Sequence, residues 1–182
     1  MKLRGDQQVA LPLPETRGGS IPTSPLQFLL KPCNLATIRG GVERWHSRLP
    51  YIRPAARAAY AAWFGGEVWA VLQFQIPSAR MEDQKTTVEL TRFAIRPGAP
   101  KNTASRLLAI SSRLLFRKLP AVIRIISYSD TACHTGTIYR AAGWCCVGLA
   151  AKPKNWNRGR SILADASGES QKIKWEFRRN GG

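Results

Sequence analysis

Residues Val122 to Leu149 constrain the fold more than any other part of this chain. They open with Val122-Ile123-Arg124-Ile125-Ile126, dominated by β-branched residues and short enough for a buried strand rather than a helix. That strand is expected to end near Ser127 to Asp130. Thr137 to Ala142 then places Ile138, Ala141 and Ala142 at i, i+3 and i+4, the apolar face of a short helix. Gly143 stands where a left-handed C′ residue stops such a helix, and Trp144 to Leu149 resumes as a strand. In this unit Asp130 falls at the carboxyl end of the first strand and Tyr139 off the helix's buried face. Both are expected to point into a common cleft.

The elements upstream supply the rest of a sheet. Asn34 is a candidate N-cap for a helix with Leu35, Ile38, Val42 and Trp45 on one face. Gly40 and Gly41 weaken that helix by roughly 1 kcal/mol each relative to alanine, and Pro50 ends it. Ala58–Phe64 and Glu67–Ile76 are apolar and aromatic-rich, and Gly65-Gly66 between them is a two-residue hairpin signal. After a polar excursion, Ser78 to Lys85, a strand over Thr87 to Ile95 is expected, with Val88, Leu90 and Arg92 on one face and Glu89, Phe93 and Ile95 on the other. A loop, Arg96 to Asn102, leads into a helix whose Ala104, Leu107, Leu108, Ser111, Leu114 and Leu115 keep the 3.6-residue period, while Arg106, Arg113 and Arg117 line another face. A last alternating run places Ile173, Trp175 and Phe177 toward the core, with Arg178-Arg179 trailing into solvent.

These elements predict an α/β fold: one domain over residues 31–179, with a central mixed, mostly antiparallel sheet flanked by helices. Residues 1–30, rich in Pro, Gly, Ser and Thr without apolar periodicity in their first 24, read as an irregular N-terminal arm. No run approaches the ~20 apolar residues of a membrane span, and the N-terminus lacks the pattern of a secretory signal, so no membrane partner and a cytoplasmic location are expected. Cys33, Cys133, Cys145 and Cys146 form no CxxC pair and read as thiols. A nucleophilic Cys133 next to His134 is the alternative, although sequence neighbours rarely align for in-line proton transfer.

Charge bears most directly on partners. The chain has 28 Lys+Arg against 11 Asp+Glu, a net charge of +17, and such an excess favours a polyanion, most often nucleic acid. A generic basic surface is the plainer reading. Arg48 adds to it, and between Lys152 and Arg160 the residues Lys152, Lys154, Arg158 and Arg160 interleave with Trp156, a composition suited to phosphate contact and base stacking or to a solvated loop. Strand, Gly-containing loop and helix start at Arg96, Gly98, Ala99, Lys101, Asn102 and Arg106 form a candidate anion site through helix N–H groups and the helix dipole. Two prolines and one glycine also make an ordinary turn.

The order hairpin, strand, Gly loop, long helix, strand, short helix with Ile138-Tyr139-Arg140-Ala141-Ala142-Gly143-Trp144, strand resembles the GNAT acyltransferase fold. The resemblance implies that the Arg96–Arg106 loop and helix start hold the pyrophosphate of an acyl-CoA, with acetyl-CoA as a candidate; Pro97 and Pro100 interrupt the family's usual Arg/Gln-x-x-Gly-x-Gly/Ala loop. A closer resemblance runs from about Lys31 to Leu149. Trp45-His46, Leu90-Thr91-Arg92-Phe93, Pro100 to Arg106, Ser127-Tyr128-Ser129-Asp130 and Gly136 to Tyr139 with Gly143-Trp144 are similar to blocks of the phage Mom proteins. Those proteins convert adenine N6 in DNA to a carbamoylmethyl form that shields phage DNA from restriction enzymes. The resemblance implies double-stranded DNA as partner and His46, Arg92, Ser105, Asp130 and Tyr139 as the functional set. It also implies iron as a metal, with His46, Asp130 and Tyr139 as the candidate ligands. Ser47 stands where that family usually has Tyr. The plain structural readings are that His46 caps a helix, Asp130 bonds loop amides, Tyr139 bridges strands and Arg92 pairs with Glu89. The alternative activity is a conventional acyl-CoA-dependent N-acetyltransferase acting on a protein, RNA or small amine.

Overall fold

The computed structural model describes residues 21–46, 56–132, 134–150 and 171–179. Among these, seven strands form one sheet: β1 (Leu29–Pro32), β2 (Ala58–Phe64), β3 (Glu67–Gln75), β4 (Thr87–Ile95), β5 (Arg124–Asp130), β6 (Cys145–Leu149) and β7 (Lys172–Arg178), in the spatial order β1-β2-β3-β4-β5-β7-β6. Only β4 and β5 are parallel neighbours among the described strands, so the sheet is mixed and mostly antiparallel, as expected. Helices α1 (Leu35–Trp45), α2 (Thr103–Lys118) and α3 (Thr137–Ala141) flank it. None is long and apolar enough to cross a membrane.

Local chemistry starts α1 and joins the β2–β3 hairpin where the sequence indicates. Asn34 accepts from the Thr37 backbone N–H at 2.9 Å and caps α1. Gly65 and Gly66 take φ of 57° and 80°, the doubly left-handed pair of a two-residue β-turn, and join β2 to β3. Gly41 has a packing reason that its helix propensity hides: a Cβ there would stand 2.7 Å from both Val71 methyl carbons, so the glycine lets α1 settle on β3.

The two faces of the sheet differ. On one, Ile38 and Val42 of α1 close over Ala59, Ala61, Val71 and Ala94. On the other, Leu107, Leu108 and Leu115 of α2, with Tyr139 of α3, pack on Leu72, Phe74, Val88, Leu90, Ile125 and Trp175. Beyond α1, its own face of the sheet turns polar, and Gln73, Gln75 and Glu89 are all buried there. The excursion between β3 and β4 is tied over that polar region. Glu82 pairs with Arg124 at 2.6 Å and with Lys174, and the Ser78 backbone N–H donates to Glu89 Oε2 at 2.8 Å.

Five expectations are corrected. The bulge at Thr91 shifts the alternation of β4, so Phe93 and Ile95 pack on the same side as Val88 and Leu90 and not with Glu89, and Arg92 leaves that side. Leu29 and Leu30, assigned to the arm, pair with Trp63 and Ala62 as an edge strand. The strand expected from Val122 begins at Arg124 and continues to Asp130. In α3 the buried residue is Tyr139, followed by the buried C-cap Ala142, while Ala141 is exposed: five residues make too short a helix for periodicity to settle its inner face, and the stack of Tyr139 on Trp175, 5.1 Å between ring centroids, settles it instead. Arg179 does not trail into solvent; it donates to the carbonyls of Phe116, Leu119 and Val122 and lies over the Phe116 ring, satisfying the end of α2.

Candidate active site

Parallel pairing of β4 with β5 lasts for four residues, Thr87–Leu90 against Arg124–Ser127. Beyond that point β4 continues along β3 and β5 continues along β7, so the two strands part and leave a split in the sheet. Thr91 enters as a bulge in β4 between the Gln73↔Arg92 and Phe74↔Leu90 pairs, which turns the strand at the place where it separates.

Tyr139 reaches the apex of the split. Its hydroxyl is 2.9 Å from Ser127 Oγ, and Ser127 Oγ donates to the Leu90 carbonyl at 3.2 Å. Ser127 has one hydroxyl proton and spends it on that carbonyl, so Tyr139 is the donor in the pair. The Tyr139 ring stacks on Trp175 at an interplanar angle of 7° and meets the edge of Trp144, while Trp175 Nε1 donates to Ser129 Oγ. Burial pushes the phenol above its ordinary range, and the Ser127 hydrogen bond opposes that only in part. The hydroxyl is therefore a protonated donor, held rigidly.

Asp130 faces the other way. Ser127 and Ser129 serve the Tyr139 side, and side chains alternate along a strand, so Tyr128 and Asp130 lie on the α1 side. Asp130 Oδ1 accepts from the Ala132 backbone N–H at 2.9 Å, and its carbonyl accepts from His134, folding the chain back on itself. His46 is the C-cap of α1. Its pKa is lowered from 6.5 by burial first, then by the positive charges of Arg92 and His134, so the imidazole is neutral near neutrality and able to accept a proton. Those couplings place His46, Arg92 and His134 in one neighbourhood. Arg92 donates to the Thr91 carbonyl at 2.6 Å, fixing its guanidinium beside the bulge. His134 joins this neighbourhood as a further candidate, and its signal in the sequence is its place four residues after Asp130, within the same turn.

The expected common cleft of Asp130 and Tyr139 is thus two half-sites on opposite faces, joined at the split. This also separates the candidate iron ligands: Tyr139 lies with α2 and α3, whereas His46 and Asp130 lie on the α1 side. Among the described residues no three His, Cys, Asp or Glu side chains gather to hold a metal. The residues do not fit an iron centre.

On the α2 side a groove of about 340 Å³ runs along the helix start, lined by Leu26, Asn102, Ser105, Arg106, Arg113 and Ala141 among others. Gly98 at φ 86° and Asn102 at φ 65° turn the chain into α2, and Asn102 makes no side-chain cap there. Lys101 and Asn102 are exposed and Ala99 half-buried. The Arg106 Nε is buried without a partner. Ser105, expected among the catalytic residues, lies in this groove and donates to the Asn102 carbonyl. Arg96 is diverted: it pairs with Glu67 at 2.5 Å and lies 4.4 Å over the Trp69 ring.

Cys33, Cys145 and Cys146 are free thiols, and burial pushes Cys33 up to about 11, removing it as a nucleophile. Ser47, Arg48, Cys133, Lys152, Lys154, Trp156, Arg158 and Arg160 lie outside the described residues.

The model of the Mom protein family matches residues 42–179, a span that holds both half-sites, the split and the last strand. The chain belongs to the Mom family. Its fold is that of the GNAT acetyltransferases. It is similar to an aminoglycoside acetyltransferase, AAC(6')-Ib, in complex with coenzyme A and kanamycin, at 16% identity and TM-score 0.58, covering 84% of this chain and 95% of that one. A Bacillus subtilis acetyltransferase in complex with CoA aligns at 11% identity and TM-score 0.56, covering 84% and 99%. An IAA acetyltransferase from Bacillus cereus aligns at 14% identity and TM-score 0.55, with the same coverages. No curated protein matches. Mom membership on a GNAT fold supports an acyl-transfer enzyme.

Proposed function

We propose that this Mom-family protein modifies adenine at N6 in double-stranded DNA to the carbamoylmethyl form, protecting phage DNA from host restriction, with its donor group carried on coenzyme A. The observation that carries the reading is the split between β4 and β5 with the Tyr139 hydroxyl at its apex. An arginine-lined groove runs along α2 as far as Ala141 of α3, the helix that carries Tyr139, and His46 and Arg92 neighbour each other on the α1 side, the side that Asp130 also faces.

On this reading the start of α2, with Arg106 and Arg113, receives the coenzyme phosphates. Tyr139 gives its proton to the departing thiolate. Asp130 and neutral His46 orient the base, which must leave the duplex to expose N6, and the charge of +17 holds the polyanion. Support for coenzyme binding comes from the fold neighbours crystallised with CoA.

Nucleosides from DNA of cells expressing the protein, separated by mass spectrometry, should contain a heavier deoxyadenosine derivative. Asp130→Asn should lower its yield by about a hundredfold or more, because the amide keeps an oxygen for the Ala132 N–H but loses the charge. Unmodified DNA from wild-type expression sinks the reading. Acetyl-CoA turnover that requires a small amine, RNA or protein instead of DNA would select a conventional N-acetyltransferase, the reading that the AAC(6')-Ib likeness favours.

A further inference from the structure

The excursion between β3 and β4 carries a turn that takes no part in either half-site. The Glu82 N–H donates to the Ala79 carbonyl at 3.1 Å and closes it, which puts Arg80 and Met81 at the tip. Met81 is 97% exposed, and Arg80 is exposed beside it. We propose that this turn is a wedge for duplex DNA: Met81 enters the base stack where the adenine leaves it, and Arg80 lies against the neighbouring phosphates. The inference deepens the DNA reading and rests on it.

The residue types at the tip suit a ligand better than they suit the fold. Turns favour Gly, Asn, Asp, Ser and Pro, which tolerate the backbone or hydrogen-bond to it. Methionine does neither, and at this exposure it packs on almost nothing. Its unbranched, polarisable thioether packs well against aromatic rings, and apolar side chains of this kind are the ones that proteins insert between base pairs.

The turn is anchored on both sides of its tip. The Ser78 N–H donates to Glu89 Oε2 at 2.8 Å before it. After it, the Glu82 carboxylate is held by Arg124 at 2.6 Å and by Lys174. Asp83 then folds the chain back by accepting from the Lys85 N–H at 2.9 Å and from the Thr86 hydroxyl. A side chain on a loop fixed in this way enters a stack without the ordering cost that a mobile loop would add. The same ties take up the acids. Glu82 is matched by Arg124 and Lys174, and Glu176 by Arg124 and Arg178. Arg80, Lys85, Lys172 and Arg178 are the exposed cations around them, a surface that favours a polyanion.

The turn also stands on the side where the base is needed. Ile125 and Trp175 pack toward α2 and α3, so Arg124 and Lys174, their strand neighbours, project toward the α1 side and hold the excursion there. Ser78 lines one small pocket with Arg92, and Met81 follows three residues later, a chain distance of about 11 Å at most. An adenine displaced by Met81 is thus released beside Arg92 and His46.

Permanganate oxidises thymines that have lost their stacking, so a brief pulse finds the thymine whose adenine has left. With the purified full chain saturating a duplex plasmid, wild type should make thymines reactive. Met81→Ala should lower that reactivity about tenfold or more, and Met81→Leu should keep most of it. Arg80→Ala should weaken binding and reduce its salt dependence by about one counterion. All three melting midpoints should match wild type, because the substituted side chains are exposed. Wild-type reactivity in Met81→Ala overturns the inference, as does a bound wild-type protein that leaves every thymine unreactive. Cells expressing wild type that contain no heavier deoxyadenosine overturn the modification reading instead, and the permanganate pattern of the Met81 variants still decides the wedge. A chain that does not bind the plasmid overturns both.

Discussion

Tyr139→Phe is expected to lower turnover by about 10²- to 10⁴-fold at a stability cost of only ~1 kcal/mol. Ser127 keeps its bond to the Leu90 carbonyl and the ring keeps its stack on Trp175, so the substitution removes the proton and little else. Steady-state thiol release, paired with denaturant titration, checks both halves. Turnover within a few fold of wild type would remove Tyr139 from the chemistry and leave it as a packing residue. The pH dependence follows from the raised phenol, whose ordinary value is 10.0. The hydroxyl stays protonated through the neutral and mildly alkaline range, so no loss of rate from its ionisation is expected there. Its linkage to stability has the same sign: the contribution is complete below the unfolded phenol's pKa and is lost as pH climbs through the higher folded one.

Gly136→Ala is expected to be the most damaging single methyl group in the described fold. A Cβ at this position would fall 2.0 Å from Trp175 Cζ2, and the backbone sits at φ +76°. Trp175 cannot yield, because it is fully buried, stacked on Tyr139 and bonded to Ser129. Overpacking of ~1–3 kcal/mol adds to ~1–2 kcal/mol for the left-handed backbone, and the same displacement would drag Tyr139 from the apex. Gly65→Ala is the internal control: it has a left-handed φ of +57° with nothing within 4 Å, and should cost only the backbone part. Equal losses in urea titrations of the two variants would refute the packing argument.

Legibility from the sequence followed the range of the interaction. Asn34, Gly65-Gly66 and Gly143 act within a few residues of themselves, and each was readable as cap, turn or stop. The inner face of α3 was not, because the partner of Tyr139 is Trp175, in a strand 36 residues further on. Arg179 misled for the same reason: two adjacent arginines near the end of a sequence look solvated until the carbonyls at the end of α2 come within reach. The parting of β4 from β5 is a property of two strands separated by a helix, and no pattern inside either one encodes it. Family blocks, not periodicity, supplied the candidate site. They brought His46, Arg92, Asp130 and Tyr139 forward together, but not the side of the sheet each one serves.

That separation of sides has a kinetic meaning. If coenzyme enters from the α2 groove and the base from the α1 side, neither blocks the other, and the transferred group has no need to rest on the protein between them. Catalysis then runs through a ternary complex, with double-reciprocal plots that intersect instead of running parallel. The coenzyme product would also be able to leave while a long DNA still lies across the other face, so that one encounter with the duplex can serve more than one turnover.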